Sequence, residues 1–149
     1  VGTGVLSALL ADAGLRDDPS LGLVMGDVPL RDIVERSGTP TYVYHAPVIR
    51  DRYAALDAAF GDLPHRICYA VKANGNLAVL RLLAKLGAGA DIVSGGELLR
   101  ALAAGFAPER IVFSGVGKTD EELVAALTVG VGHINVESLA ELRRLAMLA

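Results

Sequence analysis

Lys72 closes the run Ile67-Cys68-Tyr69-Ala70-Val71-Lys72 and is followed by Ala73-Asn74-Gly75. If the run is a strand, its period of two puts Cys68, Ala70 and Lys72 on one face and Ile67, Tyr69 and Val71 on the other. A lysine ending a buried strand beside small residues can be partly desolvated, which favours the neutral amine. A neutral primary amine can form a Schiff base with an aldehyde cofactor. From spacing alone the plainer reading leads: a lysine that reaches water where its strand stops. Three further runs end in polar residues. Asp91 and Ser94 close residues 90–94, Ser114, Gly115 and Lys118 follow residues 110–114, and Asn135, Glu137 and Ser138 close residues 133–138. Ligands of parallel α/β sheets bind beyond the carboxyl ends of the strands, so these residues belong to one rim. There Asp91 either supports a nearby cation or imine or is a strand-end acid facing solvent.

Other chemistries find less support. Ser114-Gly115-Val116-Gly117-Lys118-Thr119 ends like a phosphate-binding P-loop, but Val112 stands where the first glycine is required, so that motif is rejected. Gly87-Ala88-Gly89 precedes a strand and has Ile92 in place of the third glycine, which excludes a dinucleotide fingerprint. His45, His65 and His133 show no metal-ligand spacing and read as structural or exposed. Cys68, the single cysteine, reads as a small core residue, fits a reducing compartment and excludes an internal disulfide framework. No Ser-His-Asp set can be assembled from neighbours.

The elements that must carry these residues repeat. The four apolar runs end near residues 72, 94, 114 and 137, and each gap holds a helical pattern: residues 77–86, 96–104, 120–127, and 139 to the end. Leu77, Leu80, Leu83 and Ala84 have helical spacing. Three helices are expected to open with a capping box, Ser94 with Glu97, Thr119 with Glu122 and Ser138 with Glu141, and Asn76 opens the first helix of the series. Gly87, Gly105 and Gly130 stand where helices should stop. Four βα units in series imply a parallel sheet with right-handed crossovers; no leucine-rich-repeat consensus recurs. Four units do not close a (β/α)8 barrel of ~250 residues, so the fold is a small open α/β sheet or the first half of a barrel. Upstream, Leu23-Val24-Met25 and Tyr42-Val43-Tyr44 read as strands, Ile33 to Glu35 as a short helix, and residues 46–60 as a helix with Ile49, Tyr53, Leu56 and Phe60 on one face. A boundary near His45 separates residues 1–45 from residues 46–149.

Composition agrees with one packed chain: 149 residues, 52% hydrophobic, 21% charged. With 14 basic residues against 17 acidic ones and a net charge of -3, no basic surplus exists to meet a phosphate backbone, which argues against nucleic acid as a partner. No apolar run reaches the ~18 residues of a membrane span. Residues 1–14 lack a basic segment before their apolar stretch and contain Asp12, a poor match to a signal peptide, and Val at position 1 points to processing or an incomplete chain.

Tyr69-Ala70-Val71-Lys72-Ala73-Asn74 resembles the fold-type III pyridoxal-phosphate decarboxylases, and within them the diaminopimelate decarboxylases. Supporting segments are residues 38–44 (GTPTYVY), 88–98 (AGADIVSGGEL), 111–118 (IVFSGVGK) and 134–138 (INVES). The resemblance runs from about Gly26 to the end of the chain. It implies a pyridoxal 5'-phosphate barrel, of which the four βα units are the first half, and a β-domain to which residues 1–45 contribute strands. It implies that Lys72 is the internal-aldimine lysine and that Asp91 is the acid beside it. Glu97 matches a family glutamate whose role is not separable from capping. The activity implied for the complete protein is decarboxylation of meso-2,6-diaminopimelate to L-lysine by a cytoplasmic homodimer, these 149 residues alone being inactive. Ornithine or arginine decarboxylation is the rival within the family, and a non-enzymatic pyridoxal-phosphate barrel the rival outside it. Gly75 and Asn76 do not match the tyrosine-bearing continuation of alanine racemases.

Overall fold

The computed structural model describes residues 3–149; Val1 and Gly2, on which the reading of the chain's start partly rests, lie outside them. The chain divides into two compact units, one reaching to Ala59 and one covering Phe60–Ala149. Among the described residues no helix is long and apolar enough to cross a membrane.

The first unit contains helix α1 (Thr3–Asp12), strands β1 (Leu15–Asp18), β2 (Gly22–Met25) and β3 (Val28–Pro29), and helices α2 (Leu30–Ser37) and α3 (Ala46–Ala59). The strands form an antiparallel sheet in the order β1-β2-β3, with Val24 of β2 fully buried. Asp18 builds the β1–β2 turn: its carboxylate accepts from the Ser20 amide and hydroxyl and from the Leu21 amide. The Arg16 guanidinium, then these Ser20 and Leu21 donors, hold that carboxyl well below the usual carboxylate range. The strand expected at Leu23-Val24-Met25 and the helix around Ile33 are found. The strand expected at Tyr42-Val43-Tyr44 is not. That stretch is irregular and Tyr42 is 89% exposed. Its β-branched and aromatic composition favours a pleated, half-buried surface, but a strand also needs a ladder partner. Conversely, β1 (Leu-Arg-Asp-Asp) has poor strand propensity and is a strand because β2 pairs with it from Leu15↔Met25 to Asp18↔Gly22.

The second unit is the βα series: β4 (Cys68–Ala70), α4 (Leu77–Lys85), β5 (Gly89–Ile92), α5 (Gly95–Ala104), β6 (Ile111–Phe113), α6 (Asp120–Val129), β7 (His133–Ile134) and α7 (Leu139–Leu148). All neighbouring strands are parallel, in sequential order β4-β5-β6-β7. This is the α/β architecture expected for the first half of a barrel, with the sheet open. Ala90 and Ile92 of β5, Ile111 and Phe113 of β6, and Leu80, Leu98, Ala101, Leu123 and Ala126 of the helices are fully or almost fully buried. They form the layer between sheet and helices. The alternate strand positions Cys68, Gly89, Asp91, Val112 and His133 face the other side, where Cys68, Val112 and His133 line a concavity of about 530 Å³ with Pro64, His65, Arg66 and Asn135. Gly89 is required there: a Cβ would lie 2.5 Å from the Arg110 carbonyl oxygen and 2.7 Å from Cys68 Sγ.

The sheet ends in two strands, β4 and β7, each paired on one side only, and α7 exposes Leu139 (72%), Leu142 and Met147 (78%). Unpaired edges and contiguous apolar surface promote association. The 149-residue chain expressed alone is therefore expected to show concentration-dependent association in size-exclusion chromatography with light scattering. A monodisperse monomer with a sharp cooperative melt would contradict this.

Candidate active site at the strand ends

The ladder of β4 stops at Ala70, earlier than the alternation of residues 67–72 suggested. Residues 71–73 form a single 3-10 turn that buries Val71 and leaves Lys72 exposed. The partial desolvation expected for Lys72 is therefore not provided by its own strand. The turn closes through a bond from the Asn74 amide to the Val71 carbonyl (3.1 Å). The segment behind Lys72 is tied down on both sides. The Asn76 amide donates to Asn74 Oδ1 (3.0 Å), Asn76 Oδ1 caps α4 by accepting from the Ala78 amide (2.8 Å), and Arg100 of α5 donates to the Gly75 carbonyl (3.1 Å).

Asp91 stands in register with Ala70, two residues before Lys72, and is half-buried. The Ser114 hydroxyl, one residue past β6, donates to Asp91 Oδ1 at 2.5 Å, and the Asn135 side-chain amide, one residue past β7, donates to Ser114 Oγ at 3.0 Å. Three neighbouring strand ends thus contribute to one hydrogen-bonded row beside the Lys72 turn. Ser114 and Asn135 were legible as rim residues, but nothing local in the sequence joins them.

Lys118 is not an open rim group. It is 2% exposed, and its Nζ donates to the Gly115 carbonyl, the Asn135 carbonyl and Glu141 Oε1, each at 2.7 Å, with the Phe113 ring centroid 5.7 Å away. Glu141 is 6% exposed. An ammonium so committed has no donor left for a phosphate, in agreement with rejecting the P-loop. Arg144 extends the cluster by donating to the Lys118 carbonyl and to Asp120.

The helix starts follow the sequence with two amendments, since two of the three expected capping boxes are only half made. Only Thr119–Glu122 forms the reciprocal capping box. Ser94 accepts from the Glu97 amide, but the Glu97 carboxylate accepts from Val93 N–H (2.8 Å), one residue earlier. Ser138 accepts from the Glu141 amide, while the Glu141 carboxylate turns inward to Lys118. Glu122 also accepts from Gly95 N–H (2.7 Å), joining the starts of α5 and α6. The Gly95 and Thr119 amides hold its carboxyl below the ordinary value, so this link favours the fold at neutral pH and fades as pH falls through the lowered pKa.

The remaining candidates lie away from the rim. His65 stacks on Phe60 at 4.4 Å between ring centroids, and His133 opens β7 at the opposite end of the sheet. Cys68 is half-buried, and burial pushes its thiol pKa up, which disfavours a thiolate nucleophile. Among the described residues, no group of three or more His, Cys, Asp or Glu side chains is placed to hold a metal ion.

Residues 47–149 match the family described as pyridoxal-dependent decarboxylase, pyridoxal binding domain. The diaminopimelate decarboxylase of Vibrio cholerae is 54% identical over 122 residues, 82% of this chain and 29% of the relative. The crystal structure of diaminopimelate decarboxylase from Helicobacter pylori complexed with L-lysine superposes with a TM-score of 0.77 at 44% identity, covering 80% of this chain and 30% of that one. A lysine/ornithine decarboxylase from Vibrio vulnificus, complexed with putrescine, gives 0.72 at 27% identity, covering 79% and 32%. The chain thus spans about a third or less of the length of these relatives.

Removing one member of a buried ion pair strands the other, a loss of about 3–5 kcal/mol. Glu141→Ala and Lys118→Met, each introduced into the complete protein, are expected to lower unfolding stability by amounts in that range in urea denaturation. Losses below ~1 kcal/mol for both would show that the Lys118 cluster does not hold the strand ends together.

Proposed function

The chain belongs to the pyridoxal-dependent decarboxylases, and from that premise we propose that the complete protein removes CO2 from meso-2,6-diaminopimelate to give L-lysine. The observation that carries this reading is exposed Lys72 on a braced turn directly beyond β4, whose last residue, Ala70, pairs with Asp91, a half-buried carboxylate near the end of β5. That pair suits an aldehyde cofactor. An accessible amine can link to it covalently, and an acid beside the linkage can balance a positive nitrogen. Pyridoxal phosphate, when bound, supplies the electron sink for the carbanion left by loss of CO2.

Lys72 holds the cofactor in this reading, Asp91 orients and neutralises the Lys72 nitrogen, and the loops after β4 to β7 form part of the mouth of the site. Residues 46–149 contribute the first half of the cofactor-binding barrel, and residues 1–45 contribute to a β-domain. The resemblance extends the reading to a cytoplasmic homodimer. The choice of diaminopimelate over ornithine or arginine is favoured by 54% identity to a diaminopimelate enzyme against 27% to a lysine/ornithine enzyme. A site built to pair a substrate's distal charged groups rejects analogues that leave its own partners unmatched, so ornithine should be a poor substrate.

The test is CO2 release by the purified complete protein with pyridoxal phosphate, comparing meso-diaminopimelate, ornithine and arginine. Diaminopimelate should be turned over fastest. Lys72→Arg should abolish turnover, because a guanidinium stays protonated and cannot form the linkage. Faster release from ornithine or arginine would move the chain to the polyamine-forming branch. Full activity of Lys72→Arg would remove Lys72 from the site.

A further inference from the structure

Asp91 is held by neutral groups. Its Oδ1 accepts from Ser114 Oγ (2.5 Å), and Ser114 Oγ accepts from Asn135 Nδ2 (3.0 Å). The direction of this row is fixed by chemistry: an ionised carboxylate only accepts, so the hydroxyl must donate to it and use a lone pair for the amide. Its far end cannot drift. The Asn135 amide donates to the Phe113 carbonyl (2.9 Å) and the Asn135 carbonyl accepts from buried Lys118 (2.7 Å), while the Ser114 amide donates to the Ile92 carbonyl (2.8 Å). Among the described residues no cation pairs with Asp91 within ion-pair distance. Arg66 and Arg110, which act on Cys68 on the same face, are engaged at the strand starts, Arg66 with the Glu109 carbonyl and Arg110 with the Gly87 carbonyl. Cys68 on β4 and His133 on β7 are the other titratable groups on that face. A half-buried carboxylate with one oxygen committed to a neutral row and no cation of its own is arranged to receive a positive charge from the rim.

We propose that Ser114 and Asn135 are positioning residues, which act through Asp91 to keep its second oxygen available to the Lys72 nitrogen that carries the cofactor. This rests on the reading of Lys72 given above. Ser114 sets the orientation of the carboxylate, and Asn135 sets the rotor of Ser114. The buried ion pair of Lys118 and Glu141 reaches the row through the backbone carbonyls of Gly115, next to Ser114, and Asn135.

The experiment uses the complete protein loaded with pyridoxal phosphate. Borohydride reduction and peptide mass mapping first locate the pyridoxyl group. The visible absorbance of the lysine-linked cofactor is then titrated against pH, which reports protonation of the linking nitrogen. Replacing the carboxylate in Asp91→Asn should move the midpoint to lower pH by about one unit or more, since a neighbouring negative charge favours the protonated nitrogen. Ser114→Ala should move it in the same direction by a smaller amount, and Asn135→Ala likewise. Ser114→Thr, which keeps the hydroxyl, should titrate as the wild type. In the Asp91→Asn background, Ser114→Ala should add no further shift, an outcome a merely structural role would not give. A label on Lys72 with wild-type midpoints in Ser114→Ala and Asn135→Ala, an unshifted Asp91→Asn, or an undiminished Ser114→Ala shift in the Asp91→Asn background each overturns the proposal alone. Failure to label Lys72 overturns the proposal together with the reading beneath it. If Ser114→Ala does not fold, Asn135→Ala tests the same row.

Discussion

A lysine ammonium taken out of water must find acceptors, and Lys118 finds three within the second unit. One is its own loop carbonyl at Gly115, one is the carbonyl of Asn135 past β7, and one is the carboxylate of Glu141 in the first turn of α7. The rest of the rim depends on this geometry. It fixes where the β6 loop ends and where β7 hands over to α7, and it places Asn135 against Ser114. Gly115 makes the approach possible: its φ of +86° suits glycine, and a Cβ would lie 3.1 Å from Val93 Cβ. Buried ion pairs often add little net stability compared with apolar packing, but they penalise alternatives in which either charge is left alone. Here they select one arrangement of two loops.

The framework of the βα series is written locally, in periods, caps and stop glycines, and those signals found four strands and four helices in the right order. Strand length was not local. The run of residues 67–72 alternates to its end, yet pairing with β5 covers only Cys68 to Ala70, and the chain then turns. In the first unit, Tyr42-Val43-Tyr44 had strand composition without a partner, while the charged β1 had a partner without the composition. Both outcomes follow from pairing, which a pattern of residues along the chain does not encode.

The site was legible in a similar proportion. Lys72 and Asp91 stood out as polar residues of successive apolar runs, Lys72 at the end of its own, and register brings their strands side by side. Ser114 and Asn135 were visible as rim residues without roles, since a bond across 21 positions depends on the crossover helices that align the strands. Glu141 was hidden by its resemblance to a capping residue: the Ser138 spacing is correct, and the carboxylate is used elsewhere.

The reading of the strand-end rim as a cofactor site rests on Lys72 just past β4 and Asp91 near the end of β5. The most direct measurement is a crystal structure of the complete protein grown with pyridoxal phosphate. Electron density is expected to run continuously from Lys72 Nζ into the cofactor, with an Asp91 carboxylate oxygen within hydrogen-bond distance of the linking nitrogen and the other still on Ser114. Cofactor density joined to another lysine, or lying at the strand starts near Arg66 and His133, would contradict it.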